Sequence, residues 1–384
     1  MSRLYLCAAS ALVVLLIVFA TTAKLRSHPY RRPITGAVFI RGRLTRLLFH
    51  VLDCGCGMGA AAKSGAVRMW RVIGLSIAWW WICCGTALAW NGFGHMEVAA
   101  IAWEALSPAA RTQVIALLKL NPEYGIWVQG VAPSDQDKVA FMIASKWADA
   151  IKGDPQYRND GAENGNRPPP GPQASQNIGY ADMLRHRYWH FIDLPFSTDG
   201  TKLIEPVEPN AQTQIAMFRA ALARNSGASD DVRSYDLVWL IHLVGDVHQP
   251  LHTTSRFTHD HPEGDAGGNL VPIHCPGCSA DRVLHAFWDD VLGSTKASPQ
   301  EAAKAAAQLP RADARLAEIT DENVWIGESL EVAKVYVYAS PPIGTGTEPS
   351  TLTDEYKGKA LAVAKQRVAL AGARLANLIE AALK

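Results

Sequence analysis

The segment His242-Leu-Val-Gly-Asp-Val-His-Gln-Pro-Leu-His252 and the segment His285-Ala-Phe-Trp-Asp289 each contain a His-x-x-x-Asp pair. On a helix, residues four apart share one face about one turn from each other, so each pair points an imidazole and a carboxylate the same way. This is metal-ligand spacing, and nitrogen with oxygen donors suits zinc or a similar borderline cation. With His252 in the first segment, the two pairs offer more donors than the four one tetrahedral ion needs, which points to a multinuclear hydrolytic centre.

Further candidates lie upstream, in Trp90-Asn-Gly-Phe-Gly-His95, Lys146-Trp-Ala-Asp149 and Trp189-His190-Phe-Ile-Asp193. To position them, the chain after residue 90 offers mainly helices. Apolar residues recur at three- and four-residue spacing over Val98–Leu106, Ala110–Leu120, Phe141–Ile151, Thr213–Ala223, Tyr235–Asp246, Ala302–Leu309 and Glu355–Leu383. Ser107-Pro108 and Ser298-Pro299 read as helix starts, with a capping hydroxyl and proline in the first turn. Alternating strand patterns are scarce. Asp160–Gln173, with Arg-Pro-Pro-Pro-Gly-Pro, reads as an exposed loop, and His259–Ala280 as a second loop. Neither loop separates regions of different composition, so residues 90–384 are expected to be a single all-α domain.

The formal net charge of +1 conceals an asymmetry. Residues 1–89 hold 11 Lys/Arg against the single acid Asp53, and the remainder holds 26 against 35, a net charge of about −9. Such a body does not bind duplex backbone through a basic patch, although bound divalent ions would present a local positive site to phosphate. Residues 69–89 have an early cation, an apolar run and the small-residue end Ala87-Leu88-Ala89. This reads as a secretory signal peptide. A second apolar run, Ala11–Ala20, leads us to expect translation to start at Met69 or Met58; the alternative is a membrane anchor with a basic linker. Of seven cysteines only Cys275 and Cys278 lie after that cleavage point. In an exported chain a short disulfide is the simpler reading, and an extra metal site is the alternative. With no Asn-x-Ser/Thr sequon, the protein is expected in the periplasm or secreted medium.

Taken in order, the five chemistry-bearing segments resemble the single-strand-specific zinc nucleases of the S1/P1 family, and Ala373-Arg-Leu-Ala-Asn-Leu378 resembles that family's closing segment. The resemblance implies the helical phospholipase C/P1 nuclease fold and three zinc ions. One ion would be held by Asp149, His190, His242 and Asp246, and a second by His252, His285 and Asp289. The third would take the free α-amino group and carbonyl of Trp90, His95 and a bridging Asp246. A free amine binds metal whereas a mid-chain amide does not, so cleavage after Ala89 would couple export to activation.

The implied activity is hydrolysis of single-stranded DNA and RNA to 5′-phosphorylated nucleotides, with 3′-nucleotidase activity, by a monomer without stable membrane association. Asp193 would orient or deprotonate the attacking water, and Lys152 would neutralise phosphate charge. Phe191 would stack an unpaired base, and Gly268 and Asn269 lie where the family loop contacts nucleobase. His186, His259, His261 and His274 are expected at the surface or in loops, and His248 as a support for the ligands beside it. Two other functions compete. A zinc-dependent phospholipase C shares the superfamily fold, but there the first His lies further from the N-terminal Trp and the last ligand is usually Glu. A zinc-binding protein without turnover would lack Asp193 and Lys152.

Overall fold

The computed structural model describes residues 90–278, 282–293, 296–339, 342–344 and 348–384. The expected leader, with its cleavage motif Ala87-Leu88-Ala89, lies outside the described residues. The all-α expectation holds. Among the described residues the long elements are helices, and the strands are two or three residues long, in one two-stranded and one three-stranded sheet.

The described residues begin with α1 (Gly92–Ala105), whose N-cap Asn91 accepts from the amides of Phe93 and Gly94. The helix is apolar nearly all round and buries ten of its residues, as a central core helix must. Ser107 caps α2 (Pro108–Leu118), with Pro108 in the first turn as expected. The expected single helix Phe141–Ile151 is instead two, α3 (Gln136–Ala144) and the one-turn α4 (Trp147–Ala150). At the break, Ser145 turns its hydroxyl onto Met142 O, and its own carbonyl accepts from His242 Nδ1 at 2.7 Å. A periodicity that runs through the break cannot reveal this exchange of a ladder acceptor for a site contact.

Next come α5 (Ala211–Leu222), with Asn210 and Thr213 forming a capping box, and α6 (Asp230–Asp246), capped by Ser229. From Ser234 onward every residue of α6 is buried. Beyond it lie α7 (Leu284–Asp290), α8 (Pro299–Ala306), α9 (Glu322–Val332) and the 30-residue α10 (Asp354–Leu383). α10 packs along α1. The crossing is close because Gly372 lacks a side chain; a Cβ there would lie 2.6 Å from Ile101 Cβ and 2.9 Å from Val98 O.

The strands are β1 (Pro195–Ser197), parallel to β2 (Ser255–Phe257), and β3 (Pro272–His274), which pairs antiparallel with β4 (Arg282–Val283) and parallel with β5 (Ser350–Thr351). Cys275 and Cys278 form the expected disulfide at the end of β3. The main core gathers Trp147, Trp189, Phe218, Tyr235 and Trp239 around α6. A smaller one gathers Phe196, Ile273, Trp288, Tyr338 and Tyr356 around α7 and β3. No helix among the described residues is long and apolar enough to cross a membrane.

Candidate metal centre

Three groups of side chains converge between the two cores: His95, His242 and Asp246; Asp149, His190 and His242; and His252, His285 and Asp289. Within each group the ligand atoms lie within 4.8 Å of one another. The last turn of α6 supplies His242 and Asp246, α7 supplies His285 and Asp289, α1 supplies His95 and α4 supplies Asp149. His190 and His252 come from short 3₁₀ turns.

Asp246 is the hub. Its Oδ1 lies 3.2 Å from His95 Nε2, while its Oδ2 lies 3.1 Å from both His190 Nδ1 and His242 Nε2. Each oxygen therefore faces a different group. His242 Nε2 is also 3.7 Å from Asp149 Oδ1. In the other group His285 Nε2 stands 3.1 Å from His252 Nε2 and 3.6 Å from Asp289 Oδ2.

The far side of the rings settles which nitrogen faces inward. His242 Nδ1 donates to Ser145 O at 2.7 Å, His252 Nδ1 to His190 O at 2.8 Å, and His285 Nδ1 to Gly267 O at 2.7 Å. A carbonyl can only accept, so these three rings carry a proton on Nδ1 and turn Nε2 inward. On the Asp289 side, Gln249 Nε2 donates to Oδ1 at 2.7 Å and leaves Oδ2 for the group.

The donor set fits metal. His95, stacked on His242 with centroids 4.0 Å apart, is fully buried, and neither of its ring nitrogens has a hydrogen-bond partner. Asp246 Oδ1 and His190 Nε2 are likewise buried without one. Such atoms cost about 1–3 kcal/mol each when left unpaired, and a cation near Asp246 Oδ1 and His95 offsets that cost. Burial, then the Lys152 charge, pushes His190 down to about 3. Burial and the neighbouring His242 also lower His95. Both rings are thereby held neutral, as ligands must be. Burial would raise Asp149 and Asp246, but the Lys152 charge beside Asp149, and the His242 and His190 rings against Asp246, hold both carboxyls below the usual range.

The other expected residues are distributed around this centre. Trp90 is fully buried at the start of α1, and the next residue, Asn91, donates its amide to Asp289 O at 3.0 Å. Lys152 is buried and pairs with Asp149 Oδ1 at 2.7 Å. Phe191 is half-buried beside His190. Asp193 is half-buried, and burial with the nearby Asp265 pushes its carboxyl up to about 7. Gly268 is buried, with its amide donating to Asp265 Oδ1 at 3.2 Å, and Asn269 Nδ2 donates to Ala266 O within its own turn.

His259 and His274 are exposed and His261 is half-buried; His186 lies in a loop, one of the two expected places, but is completely buried between Asp160 and Asp182. His248 is buried, its Nδ1 donating to Val244 O and its Nε2 accepting from Arg374 at 3.0 Å. Gln249 and the three carbonyl acceptors were not anticipated. Gln249 could have been noticed from its place between Asp246 and His252, whereas a backbone carbonyl leaves no mark in a sequence.

Among known proteins, the S1/P1 Nuclease family matches residues 90–384. Endonuclease 3 of Arabidopsis thaliana is 26% identical over 334 residues, covering 82% of this chain and 95% of that protein. Endonuclease 2 of the same plant is 27% identical over 230 residues, covering 51% of this chain and 73% of its own length.

Proposed function

The chain belongs to the S1/P1 nuclease family, a helical family of phosphodiester hydrolases, and from that premise we propose that it hydrolyses single-stranded DNA and RNA to 5′-phosphorylated nucleotides, with 3′-nucleotidase activity, using three zinc ions. The observation that carries this reading is the convergence of three ligand groups on one place, with Asp246 turning one oxygen to each side. Asp149, His190, His242 and Asp246 would hold one ion, and His252, His285 and Asp289 a second. His95, Asp246 and the amino and carbonyl groups of Trp90 would hold the third.

When bound, the ions supply Lewis acidity toward phosphate oxygens and lower the pKa of a water. The chain's own groups do the rest. Asp193, pushed up to about 7, is matched to accept a proton from the attacking water near neutral pH. As water adds to phosphorus, the P–O3′ bond breaks in line, leaving the phosphate on the 5′ side. Lys152 brings a cation to the edge of the Asp149 group, where phosphate charge needs balancing. The half-buried face of Phe191 suits stacking by an unpaired base. Gly268 and Asn269 would contact that base. Duplex DNA keeps its bases stacked, which accounts for single-strand preference without a sequence code.

Residues 69–89 would serve as the export signal, and cleavage after Ala89 would free the Trp90 amine for binding. The exported enzyme would be a monomer in the periplasm or medium. The test is a metal analysis of purified protein together with N-terminal sequencing and a substrate panel. Three zinc ions per chain, a Trp90 terminus and hydrolysis of single-stranded DNA, RNA and 3′-mononucleotides are expected. Turnover of phosphatidylcholine in place of nucleic acid, or a zinc-loaded protein without nuclease activity, would overturn the proposal.

A further inference from the structure

His186 belongs to none of the three ligand groups, yet it is fully buried. Its Nδ1 lies 2.8 Å from Asp160 Oδ2 and its Nε2 lies 2.8 Å from Asp182 Oδ2. Nδ1 is hydrogen-bonded to the Tyr188 hydroxyl at 3.0 Å, whose own proton goes to Asp160 Oδ2, and at Nε2 the Asp182 carboxylate accepts; both ring nitrogens therefore donate, and an imidazole that donates twice is a cation. The ring is stacked on Trp189, with centroids 3.5 Å apart and planes 8° from parallel, which favours the charged form further. The titratable groups that face it are Asp160 from the preceding loop and Asp182 and Tyr188 from its own segment. The Tyr188 hydroxyl donates to Asp160 Oδ2 at 2.5 Å. Burial alone would lower His186, but the two carboxylates hold it above its ordinary value.

The clamp sits at the start of a turn with two outputs. Trp189 N donates to His186 O at 2.9 Å, and the 3₁₀ turn Arg187–Trp189 ends at His190. The His190 side chain enters one ligand group, while its carbonyl fixes His252 of another at 2.8 Å. Trp189 also rests edge-on against Trp239 of α6, 5.0 Å between centroids, and Trp239 lies 5.3 Å from the His190 ring. His186 takes a left-handed conformation, φ 41°, held by its amide donating to Asp160 Oδ1.

We propose that His186, as an imidazolium clamped between Asp160 and Asp182, is a positioning residue that orients His190 and His252, and that loss of its proton sets an alkaline limit to catalysis. This rests on the assignment of His190 and His252 as metal ligands. A group raised in the folded state contributes most at low pH and is lost as pH rises through its folded value, so the clamp loosens on the alkaline side.

The first test is the nitrogen-15 spectrum of the His186 ring in purified wild-type protein. An imidazolium is expected to persist above pH 7, where an ordinary histidine, with a pKa of about 6.5, is neutral. A neutral His186 ring at pH 7 overturns the proposal. The second is the pH profile of kcat and zinc content in Asp182→Asn. Removing one carboxylate should move the alkaline limb down by about one pH unit or more and leave the acid limb in place. A purely structural loss would lower activity at every pH without moving the limb, and superimposable limbs also overturn the proposal. Wild-type protein that fails to hydrolyse single-stranded DNA would sink the ligand assignment instead, and the nitrogen spectrum would still decide whether the clamp exists.

Discussion

Gly245, one residue before the hub Asp246, offers a stringent perturbation of the centre. In a helix interior, alanine is ordinarily more stable than glycine by about 1 kcal/mol. In α6 that gain meets an obstacle, because a Cβ on Gly245 would lie 2.8 Å from His95 Nδ1 and 3.0 Å from its Cε1. Comfortable separation is about 3.5 Å or more, so the His95 ring must retreat by roughly 0.5–0.7 Å. The ring has little room, because it is fully buried and stacked on His242. Overpacking of this kind costs about 1–3 kcal/mol. Set against the propensity gain, Gly245→Ala should lose about 1 kcal/mol, a fall in melting temperature of about 2–4 °C for a domain of this size. Function should suffer more than stability. The displacement carries His95 Nε2 away from Asp246 Oδ1, now 3.2 Å apart, so one ion should be lost selectively while the His252, His285 and Asp289 group keeps its own. Thermal melts, metal counts and hydrolysis of single-stranded DNA measure all three effects. If Gly245→Ala melts at or above wild type with a full metal complement, the packing of His95 on α6 does not constrain the centre and the reasoning fails.

Gln249→Leu removes the donor on Asp289 Oδ1 and should weaken one ion by about 10–100-fold; chelator competition measures this, and unaltered affinity would mean Gln249 does not orient the carboxylate. Stripping metal should lower the melting temperature by several degrees, with recovery on adding zinc, because ions bind the folded groups and not the unfolded chain. Identical melts with and without metal would refute the centre as a holder of ions. Asp236 in α6 is pushed up to about 8, chiefly by burial. Its folded value exceeds an unfolded one near about 3.9, so stability falls as pH climbs between those two values. Asp236→Asn cannot ionise and should be more stable relative to wild type at pH 9 than at pH 5. An equal difference at both pH values in thermal melts would contradict it.

The parts of this molecule that a sequence reveals are those whose signal is carried by side chains at fixed spacing. His242 with Asp246 and His285 with Asp289 announce themselves because a helix imposes the four-residue interval, and both pairs do lie on helices. Ser107 and Ser298 cap the helices they precede for the same local reason. The break at Ser145 leaves the apolar period intact while removing a carbonyl from the ladder, so it is silent. His186 is silent for a different reason. Its neighbours Asp160 and Asp182 are distant in sequence or ordinary in spacing, and only the folded loop brings a carboxylate to each ring nitrogen. α9 is equally silent. Its stretch Glu322–Val332 alternates polar and apolar residues loosely, and its burial depends on Trp325 and Ile326 meeting the main core.

The centre divides its work between rigid and adjustable supports. α6 and α7 each fix a His and an Asp on one rigid face, so those pairs cannot drift apart. His190 and His252 sit on 3₁₀ turns, where a short element by itself fixes little, and each is constrained by other means: His252 by a carbonyl at 2.8 Å, and the turn leading to His190 by Trp189 packed on Trp239. Asp246 can serve two groups because its two oxygens diverge, Oδ1 toward His95 and Oδ2 toward His190 and His242. The glycine at 245 then lets α1 bring His95 against the last turn of α6. The three candidate ligand groups, assembled from six segments, thus depend on one buried helix end, and the other segments are shaped to reach it.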